Sequence, residues 1–191
     1  MQMDTTTVVV VGVVIALIVL ALVAWAYSGR RRSAELRERF GPEYERVVSE
    51  YGDQKIAEDK LRERQERVEA LELRTLAPEE RVRFSRTWRE VQSRFVDAPA
   101  EAVTQANTLV KEVMQERGYP EGTFDQRAEN LSVRHPELVQ NYRAAREIAR
   151  RNERREASTE DLRQAMVHYR ALFEELLHEA DTKGAETRRA A

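Results

Sequence analysis

The chain has 191 residues, 32 Lys and Arg against 34 Asp and Glu, a formal net charge of −2 and no cysteine. The lack of cysteine excludes disulfides, thiolate metal sites and a cysteine nucleophile. The balanced charge leaves no basic face of the kind that nucleic acid requires, so no nucleic-acid partner is expected.

Residues 1–7, MQMDTTT, form a short polar N-terminal tail with no basic residue. Residues 8–27, VVVVGVVIALIVLALVAWAY, are an unbroken apolar run. As a helix, such a run spans roughly 30 Å, the hydrocarbon thickness of a bilayer. It is apolar on every face, whereas a helix at the surface of a small core keeps a polar stripe. The run therefore predicts a single transmembrane helix, with the bilayer as the first partner. Trp25 and Tyr27 stand at its end, where interfacial aromatic residues belong. Arg30, Arg31 and Arg32 follow at once and set the orientation, because arginines stay on the cytoplasmic side. The N-terminus is then outside and the domain after Arg30 is cytoplasmic. The alternative is a cleaved signal peptide: Ala24-Trp25-Ala26 has the small-residue cleavage form, although the basic n-region is missing. Under it the protein is periplasmic or secreted.

Residues 28–52 are a juxtamembrane segment. Leu36 and Phe40 continue a helix, and Gly41-Pro42 breaks it. Tyr44, Val47, Val48 and Tyr51 recur at i, i+3, i+4, i+7, one face of a short helix, and Gly52 is placed to end it. Residues 53–77 are densely charged, with Leu61, Val68 and Leu71 as a thin apolar seam. A solvated helical spacer is expected, reaching roughly 36 Å if helical throughout. Weak pairing of this seam with a second copy makes a homo-oligomer an expected option.

Residues 78–180 predict a helical bundle. Pro78 opens a helix with Phe84, Trp88, Val91 and Phe95 as its stripe. After Asp97-Ala98-Pro99 the next carries Val103, Ala106, Val110 and Val113, with Leu109 and Met114 beside them, and stops at Gly118. Thr123 and Gln126 have capping-box spacing and open a short helix to about Leu131. His135-Pro136 starts another, with Leu138, Tyr142, Ala145 and Ala149 on a face. Ser158 and Asp161 repeat the capping spacing before Leu162, Ala165, Met166, Tyr169, Leu172, Phe173, Leu176 and Leu177. Residues 181–191 have nothing to bury and are expected to be disordered. No stretch shows the alternation of a strand, so the fold class is all-α: a transmembrane helix, a charged helical spacer and a small helix bundle.

Little in the chain reads as chemistry. There is no Gly-rich phosphate loop, no G-x-S-x-G and no H-E-x-x-H. Glu175 and His178 have the E-x-x-H spacing of di-iron bundles, but neither His135 nor His168 repeats it. No cofactor, no metal site and no catalytic residue are expected. Tyr119 and Phe124 lie at a connection, and His135 precedes a proline. These three are the candidate contacts for a protein partner, with packing over the bundle end as the simpler reading.

The segments Phe40-Gly41-Pro42-Glu43-Tyr44, Arg94-Phe95-Val96-Asp97, Arg117-Gly118-Tyr119-Pro120 and residues 160–170, EDLRQAMVHYR, resemble an uncharacterised bacterial family of membrane-anchored or exported helical proteins. The resemblance covers most of residues 36–177. It implies an anchor followed by a helical domain in the bacterial envelope, and carries no assigned activity. The expected function is that of an inner-membrane, single-pass interaction protein, an adaptor or scaffold. The alternative is an envelope-facing or secreted helical protein of cell-envelope or stress processes.

Overall fold

The computed structural model describes residues 30–178 together with Leu20. Among the described residues there are eight helices and no strand, so the fold is all-α. They are α1 (residues 30–40), α2 (Pro42–Tyr51), α3 (Gln54–Glu69), α4 (Pro78–Arg94), α5 (Pro99–Glu116), α6 (Phe124–Arg134), α7 (Leu138–Glu153) and α8 (Thr159–His178). Among the same residues no helix is long and apolar enough to cross a membrane. Except for Leu20, the apolar run 8–27 lies outside the described residues, with Trp25 and Tyr27, as do the tails 1–7 and 181–191.

The helix boundaries follow local chemistry. Pro42, Pro78 and Pro99 each occupy a first-turn position, where the missing N–H removes no helical bond. Gly41 and Gly52 have φ of 49° and 69°, and Gly52 ends α2 in a left-handed cap. At α6 the Gln126 amide N–H donates to Thr123 Oγ1 (3.2 Å), while the Gln126 side chain accepts from the Thr123 N–H (2.8 Å). Ser158 and Asp161 repeat that exchange at α8, with Asp161 N–H to Ser158 Oγ at 3.1 Å and Ser158 N–H to Asp161 Oδ2 at 2.9 Å.

Two compact units divide the chain inside α3, residues 1–58 and 59–191. In the first, Leu36, Phe40, Tyr44, Val47 and Ala57 are buried. The Tyr44 hydroxyl and Gln54 Nε2 both donate to Glu58 Oε1, each at 2.8 Å. Burial first, and then this bond to a carboxylate, push the Tyr44 hydroxyl pKa up. Glu43 is buried and receives a two-pronged bond from Arg46, at 2.7 and 2.9 Å. The α2 face is therefore rotated from the expected one: Glu43, Tyr44 and Val47 are buried, while Tyr51 is exposed. Arg30, Arg31 and Arg32 are helical and exposed.

In the second unit α7 and α8 pack most extensively, then α5 on α8 and α4 on α5. α6 lies against α7. All eight apolar positions expected on α8 are buried, as are Phe84, Trp88 and Val91 of α4 and the whole expected set on α5. Trp88 stacks on Phe173 with ring centroids 4.7 Å apart and planes 15° from parallel, which fastens α4 to α8. Arg64, itself buried, and Arg67 both reach Glu129, at 3.1 and 2.9 Å, and tie the second half of α3 to α6.

Two further expectations, besides the α2 face, differ from the structure. Residues 53–77 are not one solvated helix. α3 stops at Glu69, Leu61 and Val68 are buried, and residues 72–77 run without helix along the bundle. Leu76 enters the core, and Leu71 and Leu73 pack against it. Their i, i+2, i+5 spacing makes no helical stripe, and Ala77 precedes a proline that disfavours helix. The second correction is smaller: α6 runs to Arg134, three residues past Leu131, because Ser132 and Val133 are also buried.

The 72–77 strap explains Gly118. Its φ is 91°, and a Cβ there would stand 2.8 Å from the Glu72 carbonyl oxygen. We expect Gly118→Ala to cost about 1–3 kcal/mol through combined strain and collision. Gly52→Ala, where nothing lies within 4 Å, meets only the backbone term and should cost less. Urea midpoints of the two variants rank them directly.

Candidate binding clefts

A cleft of about 600 Å³ lies where the strap meets α4 and α5. Phe84 and Leu109 form its apolar floor, and Thr87, Glu112 and Gln115 its polar wall. One arginine organises its rim. Arg74 grips Glu80 with both Nη atoms (2.7 and 2.8 Å) and also donates to Glu116 at 2.7 Å. Its own backbone N–H donates to the Arg117 carbonyl at 3.0 Å. A second cleft of about 290 Å³ shares Thr87, Leu109 and Glu112 with the first and runs on between α4 and α5 past Val91. Together they make a groove with an apolar floor and a hydrogen-bonding rim, a form that suits a polypeptide segment.

Acidic caps on these helices are strongly held. The Arg74 guanidinium first, and then the Ala77 N–H, hold the Glu80 carboxyl down at about 2. The Ser158 hydroxyl and N–H, with Arg151 at 2.7 Å, hold Asp161 at about 2. Carboxyls depressed on folding stabilise the native state above their unfolded values, near 4. That contribution disappears as the pH falls from about 4.5 toward 2. The urea midpoint should therefore decline through this window, and Glu80→Gln should make the decline shallower.

The third cleft, about 250 Å³, sits at the Tyr119–Gly122 loop between α5 and α6. Lys111, Met114, Tyr119 and Arg127 face it. Arg127 Nε donates to the Tyr142 hydroxyl at 3.1 Å, and its Nη1 donates to the Gly122 carbonyl. Burial first, then the charges of Arg127 and Arg146, push the Lys111 pKa down, with Glu153 opposing. Tyr169 on α8 is fully buried, and burial pushes its hydroxyl pKa well up.

The three contact candidates from the sequence all pack inward. Tyr119 is 3% exposed and belongs to the core. Phe124 is half-buried and tilts against Tyr142, with centroids 4.8 Å apart. His135 is 6% exposed, with Nδ1 3.7 Å from Glu175 Oε1. Tyr119 and Phe124 nevertheless frame the loop that carries the third cleft. Glu175 and His178 turn apart: Glu175 goes to His135, while His178 Nδ1 bonds the Glu174 carbonyl at 2.8 Å. His168 Nδ1 is 3.0 Å from Asn141 Oδ1. Among the described residues no group of three or more His, Asp or Glu side chains is placed to hold a metal. Neither Lys111 nor Arg74 stands out in the sequence; that Lys111 is one of only four lysines on an arginine-rich chain is the one signal for the former.

The fold and its clefts define a class, an all-α bundle with surface concavities. No protein-family model matches the chain, and neither a curated protein nor a solved structure matches it.

Proposed function

We propose that this chain is a single-pass membrane protein that holds a helical bundle at the bacterial inner membrane and binds another protein there. The single observation that carries this is the 20-residue apolar run at 8–27 with Arg30, Arg31 and Arg32 directly after it. Its length fits the bilayer, and its basic flank supports a cytoplasmic bundle. The continuous groove between α4 and α5 supports the binding half of the reading, because its floor is apolar and its rim can pair with a peptide backbone. No catalytic role is assigned to any residue.

The test is crosslinking and capture from native membranes with the full chain. A protein partner recovered reproducibly, and lost when Thr87→Arg and Thr108→Glu block the groove, is the expected result. Both threonines are exposed on the groove rim or half-exposed, so the variants should fold. Recovery of no reproducible partner contradicts the adaptor reading.

A further inference from the structure

The loop cleft between α5 and α6 carries an independent inference. Lys111 lines it and is partly buried, yet among the described residues no carboxylate lies within ion-pair distance of its ammonium. Arg46, Arg74, Arg151 and Arg163, by contrast, hold carboxylates at 2.6–2.7 Å. A second cation, Arg127, lines the same cleft, fixed in place by its bonds to Tyr142 and Gly122. Its Nη2 has no partner among the described residues. Arg146, whose guanidinium lies over the Phe124 ring, adds positive charge nearby. Two carboxylates oppose them. Glu121, on the cleft wall, is engaged by Gln115 Nε2 at 2.8 Å, and Glu153 is held by Arg146 at 2.9 Å. The local balance is therefore positive, and Glu153 offsets only part of the cost of keeping an ammonium partly buried without an ion-pair partner.

We infer that the Lys111–Arg127 cleft is a binding site for a single oxyanion, a carboxylate or phosphate group. Charge-assisted bonds from Lys111 Nζ and Arg127 Nη2 would hold it. A volume of about 250 Å³ admits one such group and its stem; it lies below the usual size of a site that encloses a whole cofactor. Met114, Tyr119 and Pro120 on the wall favour an anion carried on an apolar stem over a bare, fully hydrated one.

The test is titration of the ¹⁵N-labelled full chain in detergent micelles, at constant ionic strength set with chloride. The probes are inorganic phosphate in one arm and N-acetylglutamate in the other. The amide signals of Lys111, Gly122 and Arg127 report the site. Saturable shifts are expected in at least one arm, and the arm that saturates names the group. Lys111→Gln should weaken that binding at least tenfold, and Lys111→Arg should restore most of it. Lys111 is partly exposed, so both variants should fold, which the dispersion of the same spectra verifies. Equal affinity in wild type and Lys111→Gln overturns the site, as does the absence of saturable shifts in both arms. Neither result bears on whether the groove between α4 and α5 binds a protein.

Discussion

Replacing Trp88 by alanine should destabilise the bundle by about 3–5 kcal/mol. The indole is 5% exposed and stacked on Phe173, so its loss removes the main apolar link from α4 to α8. α4 otherwise packs mainly on α5, so little surrounding structure can collapse into the space. A second replacement separates packing from polarity. The Trp88 Nε1 is buried with no acceptor among the described residues, so the indole N–H contributes nothing to hold the fold. Trp88→Phe keeps a stacked ring and removes that orphan donor. It should cost less than about 1.5 kcal/mol, the range of tolerated apolar replacements. Urea unfolding of both variants, followed by helical circular dichroism, gives the comparison. Equal losses would mean that the stack is not what fastens α4.

The second large effect belongs to Arg117, which is only 2% exposed. Its Nη1 donates to the Leu176 carbonyl of α8 at 2.8 Å, and its own carbonyl accepts from the Arg74 N–H of the strap. One residue thus joins the end of α5, the strap and α8. Arg117→Met keeps most of the stem but leaves the Leu176 carbonyl without this donor. A hydrogen bond from a charged group contributes about 1.5–3 kcal/mol, and the variant should lose that much. Arg117→Ala should lose more, because it also opens space along the stem. Amide exchange distinguishes this from a general loss of stability: protection should fall first near Leu176 and Leu177 and at Arg74. Uniform loss across α5 and α7 would show that the bond is not the local clamp described here.

The helices were legible where the information is local. The eight apolar positions of α8, the stripe of α4 and the Thr123–Gln126 and Ser158–Asp161 caps depend on residues within one or two turns of each other. The α5 helix and its stop at Gly118 are of the same kind. What was not legible depends on partners far along the chain. Arg64 meets Glu129 across 65 positions and Arg117 meets Leu176 across 59, so no periodicity marks either arginine for burial. The strap failed for a related reason. Leu71, Leu73 and Leu76 fit neither a helical stripe nor a strict alternation, and the groups that meet the strap, the Arg117 carbonyl at the Arg74 N–H and Gly118 at the Glu72 carbonyl, lie far along the chain. The candidate sites were half legible. Tyr119 and Phe124, as aromatics at a connection, mark the loop that carries the third cleft. The cleft beside them depends on Lys111 and Arg127, which an amphipathic reading assigns to the solvated side.

The most direct test of the membrane reading is a reporter fused after residue 191, using an alkaline phosphatase that is active only outside the cytoplasm. The fusion should sediment with membranes, resist extraction by alkaline carbonate and show no phosphatase activity. A phosphatase-active fusion, or one released from membranes with a mature N-terminus at Tyr27, would contradict an uncleaved anchor that keeps the bundle in the cytoplasm.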